Sequence, residues 1–130
     1  MVRPKCVCFA YKLLERYYME DSHAVKTMNA IIRDMETGDC EGIIAAHTAT
    51  ALFKFVASQG SVAVDRLEKG LFSLPNMRVV DVTMETARRV GEMRQDGRAD
   101  SRTADFITEA VAELEGAEVI GYQLYGAVRP

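Results

Sequence analysis

The chain is short of several things that would have named a chemistry at once. It has only three cysteines, Cys6, Cys8 and Cys40. That is an odd number with no second pair, so it supplies neither a disulfide framework nor a four-ligand zinc site. Cys6 and Cys8 alternate within an apolar run, where small buried hydrophobes are the expected role. No stretch approaches the ~18 consecutive apolar residues a membrane span requires. The opening "MVRPKCVCFAYKLLERYY" is too interrupted by charge for a secretory signal, so a cytoplasmic protein is expected, with no membrane partner. There is no surplus of positive charge either: 16 basic residues face 19 acidic ones, a formal net charge of −3. That argues against a strongly basic nucleic-acid binder. A Gly-rich phosphate loop, a GxSxG elbow and an HExxH pair are all missing.

What is present is ordinary for a globular domain: 130 residues, 48% hydrophobic and 27% charged. That length suits one domain spanning residues 1–130, with no linker, repeat or low-complexity tract. "KCVCFA" reads as a short buried strand, and "YKLLERYYM" turns helical. Ser22 is a candidate N-cap for a helix carrying Ala24, Val25, Met28, Ile31, Ile32 and Met35 as far as Gly38. "GIIAA" is strand-like. "TATALFKFVASQG" restarts a helix with Thr48 at its head and Gly60 at its end, and Ser61 opens another. Past Pro75 and Asn76, "MRVVDV" has good β-branched content. Thr83 caps a helix that closes at Asp96-Gly97. A polar segment leads to a helix over 103–115 with a core face of Phe106, Ile107, Ala110, Val111 and Leu114, and "EVIGY" is a last strand.

Strands alternate with one or two helices, and no tight hairpin signal joins two strands. The expected fold is therefore α/β, one domain with a mostly parallel central sheet of four to five strands flanked by helices. Ligands in such sheets collect outside the carboxyl ends of the strands. His47 sits at one such end, and Asp105 at the start of the 103–115 helix. His23 and His47 lie too far apart, without partners at ligand spacing, to suggest a metal pair. Arg88, Arg89, Arg94, Arg98 and Arg102 form a loose basic cluster, expected to be a solvated face rather than a phosphate contact.

Three stretches carry a resemblance. "FAYKLLERYYMEDSHAVKTMNAII", "HTATALFKFV" and "RTADFITEAVAELEGAEVIGYQ" follow one another as the motifs of a PIN domain do, and nearly the whole chain resembles the small VapC-like toxin-nuclease type. The resemblance implies four acids around one or two magnesium or manganese ions that activate water against an RNA phosphodiester. Here the position of the first Asp is Phe9, the helix Glu falls on Ala51, and the last Asp falls near Gln123; Asp105 alone keeps a family acid. A hard divalent cation wants several oxygen ligands, and one carboxylate with one amide does not supply them. An acid in a first helical turn also has a structural use, favourable with the helix dipole and able to cap backbone N–H groups.

The expectation is a PIN-like domain that has lost its nuclease site and acts as a binding or dimerisation module, with no cofactor. The alternative is an active magnesium- or manganese-dependent ribonuclease, a toxin of a toxin–antitoxin pair, in which Asp105 is joined by Asp81, Asp100 or Glu109. A flavodoxin-like nucleotide or regulatory domain is a third reading, disfavoured by the missing phosphate loop. A homodimer is expected through helix faces near the N-terminal half that include some of Tyr11, Tyr17, Tyr18, Phe53 and Phe55, with RNA or an antitoxin-like protein as further partners.

Overall fold

The computed structural model describes residues 5–95 and 103–122. The elements run β1 (Lys5–Phe9), α1 (Tyr11–Tyr18), α2 (Ser22–Thr37), β2 (Cys40–Ala45), α3 (Ala46–Ala57) and α4 (Ser61–Lys69). A 3-10 turn (Leu71–Ser73) follows, then β3 (Met77–Val80), α5 (Met84–Gln95), α6 (Thr103–Glu115) and β4 (Glu118–Ile120). The four described strands lie in the order β3-β2-β1-β4, and every pairing is parallel. The fold is α/β, as the alternation of strands and helices implies.

Side chains alternate across a strand, so β1 feeds two cores. Val7 and Phe9 join Ile44, Leu13, Leu14, Met28, Met35, Leu52, Val56 and Leu67 in the larger cluster, which is supplied by α1 to α4. Cys8, with Ile43 and Ala45 of β2, packs against Val111 and Ala112 of α6 on the opposite face. Both faces of the central strands are thus covered, which is why β1 and β2 read as nearly continuous apolar runs. A small third cluster, Met93, Phe106 and Ala110, joins α5 to α6.

The register sets one close approach. Val7 of β1 lies opposite Gly42 of β2, and Phe9 reaches across toward the same glycine. A Cβ at Gly42 would stand 2.7 Å from Phe9 Cε2 and 3.0 Å from Met35 Sδ. The missing side chain is the space that the Phe9 ring fills.

Helix ends depart from the local reading at three points. The N-cap of α2 is Asp21, not Ser22: its Oδ1 accepts from the Ala24 N–H at 3.1 Å, and Ser22 becomes the first helical residue. The α3 helix begins at Ala46, two residues before Thr48, with Ala45 at the cap and no side-chain hydrogen bond there. β2 runs directly into α3, so packing rather than capping sets that start. Gly60 does not close α3, which stops at Ala57; it precedes α4 instead. The C-terminus of α2 is as expected: Gly38 adopts φ 86°, ψ 4°, the left-handed conformation glycine takes without penalty, and its N–H bonds back to Met35. Thr83 caps α5, its Oγ1 accepting from the Thr86 N–H at 3.3 Å. The Asp96-Gly97 turn and most of the polar segment after it lie outside the described residues.

Gly42→Ala should overpack the Phe9 and Met35 side chains and destabilise the domain by ~1–3 kcal/mol. Urea titration should show a lower midpoint with an unchanged slope. An unaltered midpoint would mean that Phe9 is not seated as described.

Candidate functional site

The crossover connections direct the candidate residues to one end of the sheet. Phe9 closes β1, α3 springs from the carboxyl end of β2, and α6 descends to the start of β4, so its first turn lies at the same end. His47 in the first turn of α3 meets α6 there, with Nε2 3.4 Å from Thr108 Oγ1.

At that end the described side chains do not form an acidic cleft. Phe9 is wholly buried in the larger cluster and contributes no surface. Ala51, in the second turn of α3, is half-buried and offers only a methyl group. Asp105, in the first turn of α6, is exposed, and makes no hydrogen bond or ion pair among the described residues. The capping role that its position allows is therefore not one the described contacts display. Gln123 and Asp100 lie outside the described residues. Asp81 is exposed beyond the end of β3, and Glu109 is half-buried one turn along α6 from Asp105. No three His, Cys, Asp or Glu side chains among the described residues are grouped so as to hold a metal ion. Among the described residues, the Phe9 ring, the Ala51 methyl group and the Asp105 carboxylate do not by themselves fit a magnesium or manganese ion, which needs several oxygens in a fixed octahedron.

Other chemistry is similarly limited. Burial pushes the Cys8 thiol up to about 12 and the Cys6 thiol up to about 11, where a hydrogen bond to Glu41 adds to the effect. Neither forms a thiolate nucleophile near neutral pH. Of the basic cluster, Arg89 grips Glu113 through Nε at 2.6 Å and Nη2 at 3.2 Å, tying α5 to α6. Arg88 is exposed, whereas the side chain of Arg94, and Arg98 and Arg102, lie outside the described residues.

A polar constellation that the sequence did not single out lies beside this end. The Tyr122 hydroxyl, just past β4, donates to Asp21 Oδ2 at 2.8 Å, and the His23 ring stands edge-on to Tyr122 at 5.4 Å. Asp21 thus spends one oxygen on the α2 cap and the other on Tyr122. The Ala24 N–H first, then the Tyr122 hydroxyl, hold its carboxyl below the usual Asp range. The one local signal was the run Asp21-Ser22-His23, in which either of two residues can cap; its tie to Tyr122 spans 101 positions.

No family model matches the sequence, and no curated protein matches it. Solved structures do. The chain is similar to FitAcB from Neisseria gonorrhoeae, with a TM-score of 0.70 and 17% identity over 87% of this chain and 84% of that one. A toxin–antitoxin complex from Klebsiella pneumoniae gives a TM-score of 0.67, also at 17% identity, over 87% and 82% of the two chains. VapBC2 from Rickettsia felis, bound to a DNA fragment from its promoter, gives 0.63 at 11% identity, over 88% and 85%. At such identities the likeness establishes the fold alone: the chain shares the α/β fold of these structures, here with four described strands in one parallel sheet. No described helix is long and apolar enough to cross a membrane.

A carboxylate held below its ordinary range stabilises the fold above the unfolded pKa, and that contribution is lost as pH falls through the folded one. Asp21→Ala should lower the thermal midpoint at neutral pH. The gap from wild type should close as pH drops below the usual Asp range of ~4. A gap that stays constant down to strong acid would show that Asp21 does not act through its charge.

Proposed function

We propose that this chain is a PIN-like binding domain of the toxin–antitoxin type that has given up the metal-dependent ribonuclease site, working without a cofactor. Its partners are a second copy of itself and an antitoxin-like protein. The observation that carries this reading is Phe9. The resemblance sets an acid at that position, and here a fully buried ring occupies it. Ala51 and the isolated Asp105 support the same conclusion, since hydrolysis by this route needs a held metal to polarise the phosphate and activate water. The likeness to a structure named as a toxin–antitoxin complex supports the choice of partner. The proposed compartment is the cytoplasm, in keeping with three cysteines that are all free thiols.

The test is cleavage of single-stranded RNA over a range of magnesium and manganese concentrations, wild type against Asp105→Asn. Both should remain at background, with the mutant's stability altered by no more than about 0.5 kcal/mol, as for most exposed substitutions. Metal-dependent cleavage by wild type that vanishes in Asp105→Asn would establish the active nuclease instead.

Self-association rests on the aromatic side chains of α1 and α3. Tyr11, Tyr17, Tyr18, Phe53 and Phe55 all pack on the larger core cluster yet remain half-buried, so each keeps surface for a second copy. Sedimentation equilibrium at high micromolar concentration should report a dimer. A monomer across that range would remove the proposed self-association.

A further inference from the structure

Two of the elements around the central strand are weak by themselves. α1 has eight residues, and Ala10 at its head supplies no side-chain cap. Helices of that length are marginal without tertiary support, which here comes from Leu13 and Leu14 in the core. β4 has three residues and pairs with β1. Residues 120–122 join the two. The Ala10 N–H donates to the Ile120 carbonyl at 3.1 Å. Gly121 passes beside the same residue, since a Cβ added to it would stand 4.0 Å from Ala10 Cβ. Tyr122 then reaches the far end of α1. Its ring centroid lies 5.7 Å from Arg16 Cζ, and its hydroxyl donates to Asp21 Oδ2 at 2.8 Å. The chain leaving β4 therefore crosses α1 from its cap to the turn beyond its last residue.

That turn is a strained one. Glu20 has φ 61°, in the left-handed region that side chains other than those of Gly and Asn rarely enter. Its N–H bonds the Tyr17 carbonyl at 3.1 Å, and the Asp21 N–H bonds the Arg16 carbonyl at 3.0 Å. Glycine usually serves this position at a helix end. Asp21 pins the turn from both sides, accepting from the Ala24 N–H through Oδ1 and from Tyr122 through Oδ2. The Arg16 cation, over the Tyr122 ring, adds its attraction to Asp21.

We propose that residues 120–122 are a strap across α1, buckled by the Tyr122–Asp21 hydrogen bond, so that α1, the α1–α2 turn and β4 open and close as one unit. Proteins open in such contiguous units at free energies below that of global unfolding. The unit carries Tyr11, Tyr17 and Tyr18, so the strap also holds the face assigned to self-association. That consequence rests on the proposed dimer, whereas the strap does not.

The experiment is native-state hydrogen exchange of the full chain in a series of low urea concentrations. The Ala10 and Ala24 amides report the two ends of the strap. The Gly42 N–H, bonded to the Asn76 carbonyl at 2.8 Å between β2 and β3, reports the sheet. Ala10 and Ala24 should exchange with one opening free energy and one urea dependence, both faster than Gly42. Tyr122→Phe keeps the ring and loses the hydroxyl, and should speed both amides by the same factor, about tenfold or more. Asp21→Ser keeps a cap but is too short to reach Tyr122, and should speed Ala10 equally. The double variant should be no faster than either single one, because both remove one interaction. Acceleration of Ala24 without Ala10, different urea dependences, exchange of both only together with Gly42, or full additivity in the double variant would each overturn the strap. Raising the concentration into the dimer range should slow Ala10 and Ala24 in step. A dimer that forms without slowing them would overturn the link to the α1 face, and a monomer throughout would remove the self-association reading while the exchange data decide the strap.

Discussion

The Phe9 ring above Gly42 is the contact on which the rest of this molecule depends. It closes the central strand, fills the gap the glycine leaves in the neighbouring strand, and shares the larger core cluster with Met35 of α2. Three elements are locked by one interior contact, and interiors of this density transmit any change of volume to their neighbours. In an open parallel sheet the carboxyl end of a central strand is where ligands ordinarily collect. Here that end has been given to the core.

Much of the fold was legible because it is written locally. Alternation in "KCVCF" marks β1, the spacing of Ala24, Met28, Ile31 and Met35 marks α2, and Phe106, Ala110 and Val111 mark the buried side of α6. The absence of hairpin signals was enough to predict parallel pairing. What failed was local competition and long-range contact. Asp21 and Ser22 are both good caps, and the choice between them is settled by Tyr122, far away in sequence. Thr48 resembles a helix head, yet is buried because α3 continues straight from β2. The candidate site was legible only through the resemblance, which aligned Phe9, Ala51 and Asp105 with family acids. Neither the burial of Phe9 against Gly42 nor the pairing of His47 with Thr108 has any signature in spacing.

The charged surface helps to position α6. Arg78 bridges Glu115 at 2.7 Å and Glu41 at 3.3 Å, and Arg89 clasps Glu113, so both arginines join α6 to its neighbours. Exposed pairs of this kind contribute little stability each. Their geometry instead fixes how α6 lies across the sheet, and with it where Asp105 stands.

The strand order also dictates a sequence of events during synthesis. β1 is made first and lies inside the sheet, between β2 and β4. Its pairing with β2 is possible once residue 45 has emerged, but its other edge waits for residues 118–120. For most of translation the nascent domain therefore presents an open edge formed by Val7, Cys8 and Phe9, its most apolar strand end. Such an edge is a template for wrong pairing with any extended chain nearby. The described sheet gains its last edge from a three-residue strand, and until that strand arrives the nascent protein relies on helices α1 to α4 to keep its central strand in place.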